Sequence, residues 1–467
     1  MRTRYGCLTL MVVLAVTAAS CGGTEEPATA APSTTAAAVT TVVSDDGAGV
    51  DEGDDAQPAR TTIATDAGVD LEAGVIRVGM LADLTGAFGP LASLIAAGAG
   101  VYWADVNAKG GVHGLQVELI YRDTVYSVDN HVQFYEELKD QVVAFGHSTG
   151  SPHTVAIRED LEADGILAVP FTWYSGWSDP ALNANLMSHG TPYCIEAMNL
   201  IGYLSDLAKS TGIANPTLAI AGFPGDYGLD SAAGALLAAE ALGMEVVHDA
   251  SGKVIPGQDN APIGNAIAQS GADIVWVTAN AGAFAEIYGS AVAQGFEALW
   301  SGAAPTWSPA LVAPDSPIKD AIDRDYYVSS YFPPLTDDTP GMAAVRALVD
   351  QYAPDTPRND YLIEGFIEGM ILFEALKRAY SSGDMTQAGV VAAAKSIEEL
   401  DFGGIAPNES YVGSANDRLQ RKVWISRPDP EGLAAGTTGT GTRLTDPAYT
   451  HPVAAAFVFE EACYKLA

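Results

Sequence analysis

From residue 75 onward, short runs of buried-type residues alternate with helical stripes, and this alternation constrains the fold more than any other feature of the sequence. Residues 75–81 (VIRVGML) read as a buried strand. Leu91, Leu94, Ile95, Ala99, Tyr102 and Val106 then recur at helical spacing until Gly110-Gly111 stops the pattern. Gly98 and Gly100 within that stripe either weaken the helix or admit a close neighbour. Residues 115–121, 142–145 and 166–169 continue the strand series, with a helix marked by Val128, Val132, Tyr135 and Leu138. A second series follows. A stripe over Ala197, Leu200, Ile201, Leu204 and Leu207 leads to strands at 217–221, 245–248, 273–277, 298–300 and 326–331. Helices are expected at 342–352, 361–380 and 386–397, and strand character returns at 422–426 and 453–459. Strands separated by helices of this length build parallel β-α-β units. Two such series predict an α/β protein of two doubly wound lobes with a cleft between them.

Composition narrows the partners. The chain has 467 residues, 58 acids against 23 bases and a formal net charge of −35. Phosphate binding needs clustered bases, so nucleic acid is an unsuitable partner, as is an anionic membrane surface. Apolar residues make up 48% of the chain, enough for more than one core.

The N-terminus indicates a compartment. Arg2 and Arg4 precede an apolar stretch at 8–19 that ends in Ala18-Ala19-Ser20-Cys21. Small residues directly before a cysteine resemble a bacterial lipobox, which implies cleavage after residue 20 and lipidation of Cys21. An ordinary secretory signal is the plainer alternative. Residues 21–72 are rich in Ala, Thr, Pro, Ser, Gly and acid, and read as a disordered tether. No later run of about 20 apolar residues is present to span a membrane. Cys194 and Cys463 are the two cysteines left in the body, and whether they pair depends on distances a sequence does not give.

In open α/β sheets, ligands lie beyond the carboxyl ends of the strands, where loops enter helix N-termini. One such loop, Gly146-His147-Ser148-Thr149-Gly150, matches G-x-S-x-G, the nucleophile elbow of α/β-hydrolases. His189, His248 and His451 follow it in the chain, so residue order permits an esterase. The same loop also offers hydroxyls and free backbone N–H groups to an anion. The histidines lack zinc-site spacing and no nucleotide-binding P-loop is present, so neither metal nor cofactor is expected. His147 and His153 read as solvated or capping residues.

The wider pattern resembles the leucine/isoleucine/valine-binding family of extracytoplasmic solute receptors. The residues that carry the resemblance are Ile76-Arg77-Val78-Gly79, Leu84-Thr85-Gly86, Asn107-Ala108-Lys109-Gly110-Gly111-Val112-His113-Gly114, Arg122-Asp123, the 145–150 loop and Asp226-Tyr227-Gly228. Gly365, Gly369 and Phe402-Gly403-Gly404 resemble later landmarks. The resemblance implies a type 1 periplasmic-binding fold with three crossovers: lobe 1 at 73–194 plus 330–402, and lobe 2 at 195–329 plus 403–467. It implies a monomeric, non-enzymatic, lipid-anchored receptor that delivers a small-molecule ligand to an ABC permease. A sensor on the same fold is the variant reading.

Carried over residue by residue, the resemblance places a ligand carboxylate near Ser148 and Thr149. Phe171, Thr172 and Trp173 add backbone groups and a hydroxyl, Tyr227 closes from the second lobe, and Asn280 is the polar candidate after residue 277. The family's amino-acid binders set an acid in the loop at 301–307 against the ligand's ammonium. Here that loop reads SGAAPTW, without an acid. A buried ammonium would lack its partner, which leaves amides, urea and aromatic acids open beside amino acids. Trp173, Trp177, Trp300 and Trp307 are candidates to wall an apolar ligand.

Overall fold

The computed structural model describes residues 63–466 other than Ala184. The signal segment at 1–20, the lipidation of Cys21 and nearly all of the tether lie outside the described residues.

Two sheets organise the body. In the first, Gln116–Asp123, Val75–Ala82, Ala144–Thr149 and Leu167–Phe171 lie side by side in that order, all parallel. The last two of these strands are buried at every position, as expected for parallel strands covered on both faces. The second sheet has seven strands. Val246–Ala250, Leu218–Gly222, Ile274–Thr278, Leu299–Gly302 and Tyr326–Ser330 run parallel; Val423–Pro428 and Thr442–Tyr449 then extend it in antiparallel fashion. The chain passes between the sheets three times. It leaves the first after Leu167–Phe171, returns after Tyr326–Ser330 to lay the helices Pro340–Tyr352 and Tyr361–Ser382 on it, and leaves again before Val423–Pro428. This is the doubly wound two-lobe α/β fold expected from the alternation.

Several local expectations change. Folded structure begins before residue 75: Ala64–Thr65 pairs with Asp384–Met385, and Val69–Asp70 pairs with the start of Val75–Ala82. Residues 453–459 do not form a strand, because Pro452–Ala456 is a short helix. The strand Thr442–Tyr449, absent from the sequence reading, occupies the sheet edge instead. Gly98 resolves as a close-approach residue: a Cβ there would stand 2.1 Å from Leu362 O, and one at Gly365 2.2 Å from Ile95 O. The two glycines let the helices Gly89–Ala108 and Tyr361–Ser382 touch backbone to backbone. Gly100 meets no neighbour.

Cys194 and Cys463 form a disulfide that joins the first turn of the helix Tyr193–Ser210 to the C-terminal segment. Hydrogen bonds secure the same segment. Cys463 N–H donates to Ser175 Oγ (2.9 Å), Tyr464 N–H donates to Asp230 Oδ1 (3.3 Å), and Tyr174 OH donates to Tyr464 O (2.6 Å). Among the described residues, no helix is long and apolar enough to cross a membrane.

Candidate ligand-binding site

The strand Ala144–Thr149 ends against the inter-sheet cleft, and Gly150 turns the chain at φ 98° into the helix Ser151–Asp164. A Cβ at Gly150 would meet His153 Nδ1 at 2.5 Å, so the turn requires glycine. It aims the Thr149 and Ser151 side chains and a helix N-terminus at one cavity. Thr149 Oγ1 lies 2.6 Å from His147 Nε2 and accepts from Asp83 N–H at 3.2 Å.

The rest of the cavity wall is aromatic. Phe88, Tyr126, Phe171 and Trp173 line it from the first lobe, Tyr227 and Pro305 from the second, and Tyr193 from the start of the helix Tyr193–Ser210. Phe88 stands 6.2 Å from Tyr227 across the cleft, with Tyr193 4.8 Å from Tyr227 and Trp173 4.3 Å from Tyr331 (centroid distances). Tyr227 sits in the first turn of the helix Gly225–Leu242, and its hydroxyl donates to Ala279 O at 3.0 Å.

Phe88 and Pro305 also bound a second, roomier space. Leu91, Leu94, Ala281, Trp307 and Pro309 give it an apolar lining, with Asn280, Asn359 and Tyr361 at its polar points. Neither space has a charged lining residue.

Of the residues expected at the site, Thr149, Phe171, Trp173 and Tyr227 meet at the first cavity. Asn280 borders the second, where it caps the helix Ala281–Val292 through Ala283 N–H and reaches Ala87 O across the cleft at 3.4 Å. Ser148 and Thr172 lie behind the wall. Ser148 is fully buried, with its Oγ 3.0 Å from His131 Nε2 and 2.9 Å from Thr154 Oγ1. Thr172 Oγ1 is hydrogen-bonded to Ser151 Oγ. The Ser148–His131 pair has nucleophile–base spacing, but it has no contact with the cavity and no hydrogen-bond partner on His131 Nδ1. The geometry therefore gives the hydrolase reading no support. His147 and His153 are buried, not solvated. Trp300 packs in the second core against Phe284, Tyr288 and Phe296, and Trp177 packs on Tyr174. Of the four tryptophans, only Trp173 reaches the first cavity and Trp307 the second.

Phe88, Tyr126, Ser151, Tyr193 and Pro305 were not read from the sequence. Phe88 sits in a loop shaped by Asp83, whose carboxylate accepts from Gly86 N–H and Phe88 N–H, each at 2.7 Å. Pro305 is placed by the buried Glu196, which accepts from Ala304 N–H and Tyr331 OH, each at 2.8 Å. Burial pushes Glu196 up to about 8. Asp226, one residue before Tyr227, is buried, with an unpartnered Oδ2 and a pKa raised by desolvation to about 7.

The description "periplasmic binding protein" matches a family model over residues 75–434. The chain belongs to that family. The resemblance to leucine/isoleucine/valine-binding proteins is thereby upheld, and the family is extracytoplasmic. Among solved structures, the chain is similar to a fatty acid ABC transporter substrate-binding protein from Thermomonospora curvata. Identity is 25% and the TM-score 0.76, over 85% of this chain and 97% of that one. It also matches a branched chain amino acid ABC transporter protein from Thermus thermophilus with bound valine, at 19% identity and TM-score 0.67, over 82% and 98%. A third is an R. palustris ABC-transporter solute-binding protein in complex with 4-hydroxybenzoate, at 17% identity and TM-score 0.64, over 82% and 99%. No curated protein sequence matches the chain.

Proposed function

We propose that this protein is a lipid-anchored, non-enzymatic receptor of an ABC importer and that its ligand is an amphiphilic monocarboxylate. Its polar end would lie at Thr149 and Ser151, and its apolar tail would pass Phe88 and Pro305. The observation that carries this reading is the pair of adjoining spaces, one aromatic and one apolar, without a charged lining residue. A zwitterion there would lack a fixed counter-charge for its ammonium. A monocarboxylate needs only hydroxyls and the N-terminus of Ser151–Asp164 at one end and burial at the other. The fatty-acid-binding neighbour supports the same class.

Lobe closure follows from the arrangement. Phe88 and Trp173 lie on one lobe and Tyr227 and Pro305 on the other, so a ligand touches all four only in the closed state and shifts the population toward it. The closed form then presents both lobes to a membrane permease. The Ala18-Ala19-Ser20-Cys21 motif supports the lipid anchor. A second reading, a branched-chain amino acid, is favoured by one observation: the buried Asp226, next to Tyr227, has an unpartnered Oδ2 that an ammonium would satisfy.

A thermal-shift panel separates the two readings. It would hold straight-chain monocarboxylates of four to sixteen carbons, 4-hydroxybenzoate, leucine and valine. Binding to the folded state raises the melting temperature. Shifts confined to the longer acids are expected. A shift with leucine or valine and none with the acids would replace this ligand class with the amino-acid one.

A further inference from the structure

Behind the ligand cavity, four titratable side chains meet inside the first lobe. Glu364 and Glu368 stand one turn apart on the helix Tyr361–Ser382. His147 reaches them from the strand Ala144–Thr149, and His189 from the segment that leads into Tyr193–Ser210. Exposure is 1% for each glutamate, 2% for His147 and 6% for His189. His147 is accounted for. Its Nδ1 lies 2.8 Å from both oxygens of Glu368 and its Nε2 lies 2.6 Å from Thr149 Oγ1.

Glu364 is not accounted for. Neither of its oxygens has a hydrogen-bond partner, and neither does His189 Nε2. The His189 Nε2–Glu364 Oε1 separation is 3.0 Å, but off the direction a hydrogen bond requires. One ligand atom each from His189, Glu364 and Glu368 falls within 4.8 Å of the others. Two carboxylates and an imidazole thus converge in an interior where unpaired charge is costly. A divalent cation among them would satisfy all three at once.

We infer that His189, Glu364 and Glu368 form a structural divalent-cation site and that zinc is its ion. Calcium and magnesium take oxygen ligands, whereas zinc accepts imidazole nitrogen together with carboxylate. His147 holds Glu368 from behind, since ligating carboxylates are themselves hydrogen-bonded. Water takes the remaining position. His189 also walls a separate cavity with Trp177, Glu409 and Arg418. The ion ties the helix Tyr361–Ser382 to the chain entering the first crossover. The assignment is independent of the ligand proposed above.

The test uses the untagged full-length chain, stripped with a chelator and titrated with zinc chloride. Bound metal is counted by mass spectrometry, and affinity is measured by calorimetry. The expected result is one zinc per chain, bound more tightly at pH 8 than at pH 6, and a zinc-dependent rise in melting temperature. Glu364→Gln and His189→Ala should each lower zinc affinity at least 100-fold. Circular dichroism checks that the variants fold. If Glu364→Gln does not fold, Glu368→Gln serves in its place, and cobalt bound to the wild type should give a visible absorption band that the folded variant lacks. A folded wild type that takes up no zinc, or a folded variant that takes up as much as the wild type, would overturn the site and leave a proton-sharing network.

Discussion

Trp173→Ala should bind the ligand about 100-fold more weakly than the wild type. Trp173 lines the cavity and holds it in shape: its ring lies 4.9 Å from Phe171, 6.0 Å from Tyr193 and 4.3 Å from Tyr331 (centroid distances). Large, desolvated aromatic anchors dominate recognition, and truncating one typically costs about 2–4 kcal/mol of binding. A factor of 100 is about 2.7 kcal/mol. The same truncation removes core packing, with an expected stability loss of about 3–5 kcal/mol. Ser148→Ala provides the contrast. Ser148 contacts His131 and Thr154 behind the wall, so its loss should reduce stability by about 1–3 kcal/mol and change affinity less than threefold. Isothermal calorimetry on both variants, with denaturant melts alongside, checks the pair. Equal affinity losses would return Ser148 to the ligand's first contacts.

Breaking the Cys194–Cys463 disulfide should produce a large stability change. The bridge closes a loop of sequence separation 269. In the chain-entropy model, a loop of that size contributes about 5 kcal/mol by restricting the unfolded chain. Cys194→Ser with Cys463→Ser should therefore lower the unfolding free energy by about 3–5 kcal/mol. The C-terminal segment should also loosen. It is held otherwise by hydrogen bonds to Ser175, Asp230, Tyr174, Asn416 and Arg421 and by burial of Phe459 and Ala462. Denaturant melts of oxidised, reduced and doubly substituted protein measure the effect. Hydrogen exchange over residues 457–466 should show the local loosening. A change under about 1 kcal/mol would mean that the native contacts of the tail, not the crosslink, fix the end of the chain.

The fold was largely legible because parallel strands buried on both faces leave unbroken apolar runs, as at 142–145 and 166–169. Thr442–Tyr449 was not. It is an edge strand with half of its positions exposed and a proline, Pro447, so its sequence looks like loop. Residues 453–459 failed in the opposite direction: an apolar run too short to show a period took the helical state. At the site, motifs located the loops but not which side chains face the ligand. Ser148 and Thr149 differ by one position, and the pairing of Ala144–Thr149 with Leu167–Phe171 shifts register between Phe145 and Ser148. Alternation counted from the strand's start therefore gives the wrong parity at its end. Phe88, Tyr126 and Tyr193 come from three separate segments and converge only in the folded chain. No local pattern distinguishes them from core aromatics.

The central claim is an amphiphile held head-first in the aromatic cavity with its tail in the apolar space. Calorimetric affinity across straight-chain monocarboxylates of increasing length tests it most directly. Burial of each methylene contributes about 0.8 kcal/mol, so affinity should rise about fourfold per carbon while the tail enters the space and level off once it is filled. Affinity that does not change with chain length, or that favours leucine over every acid in the series, would contradict it.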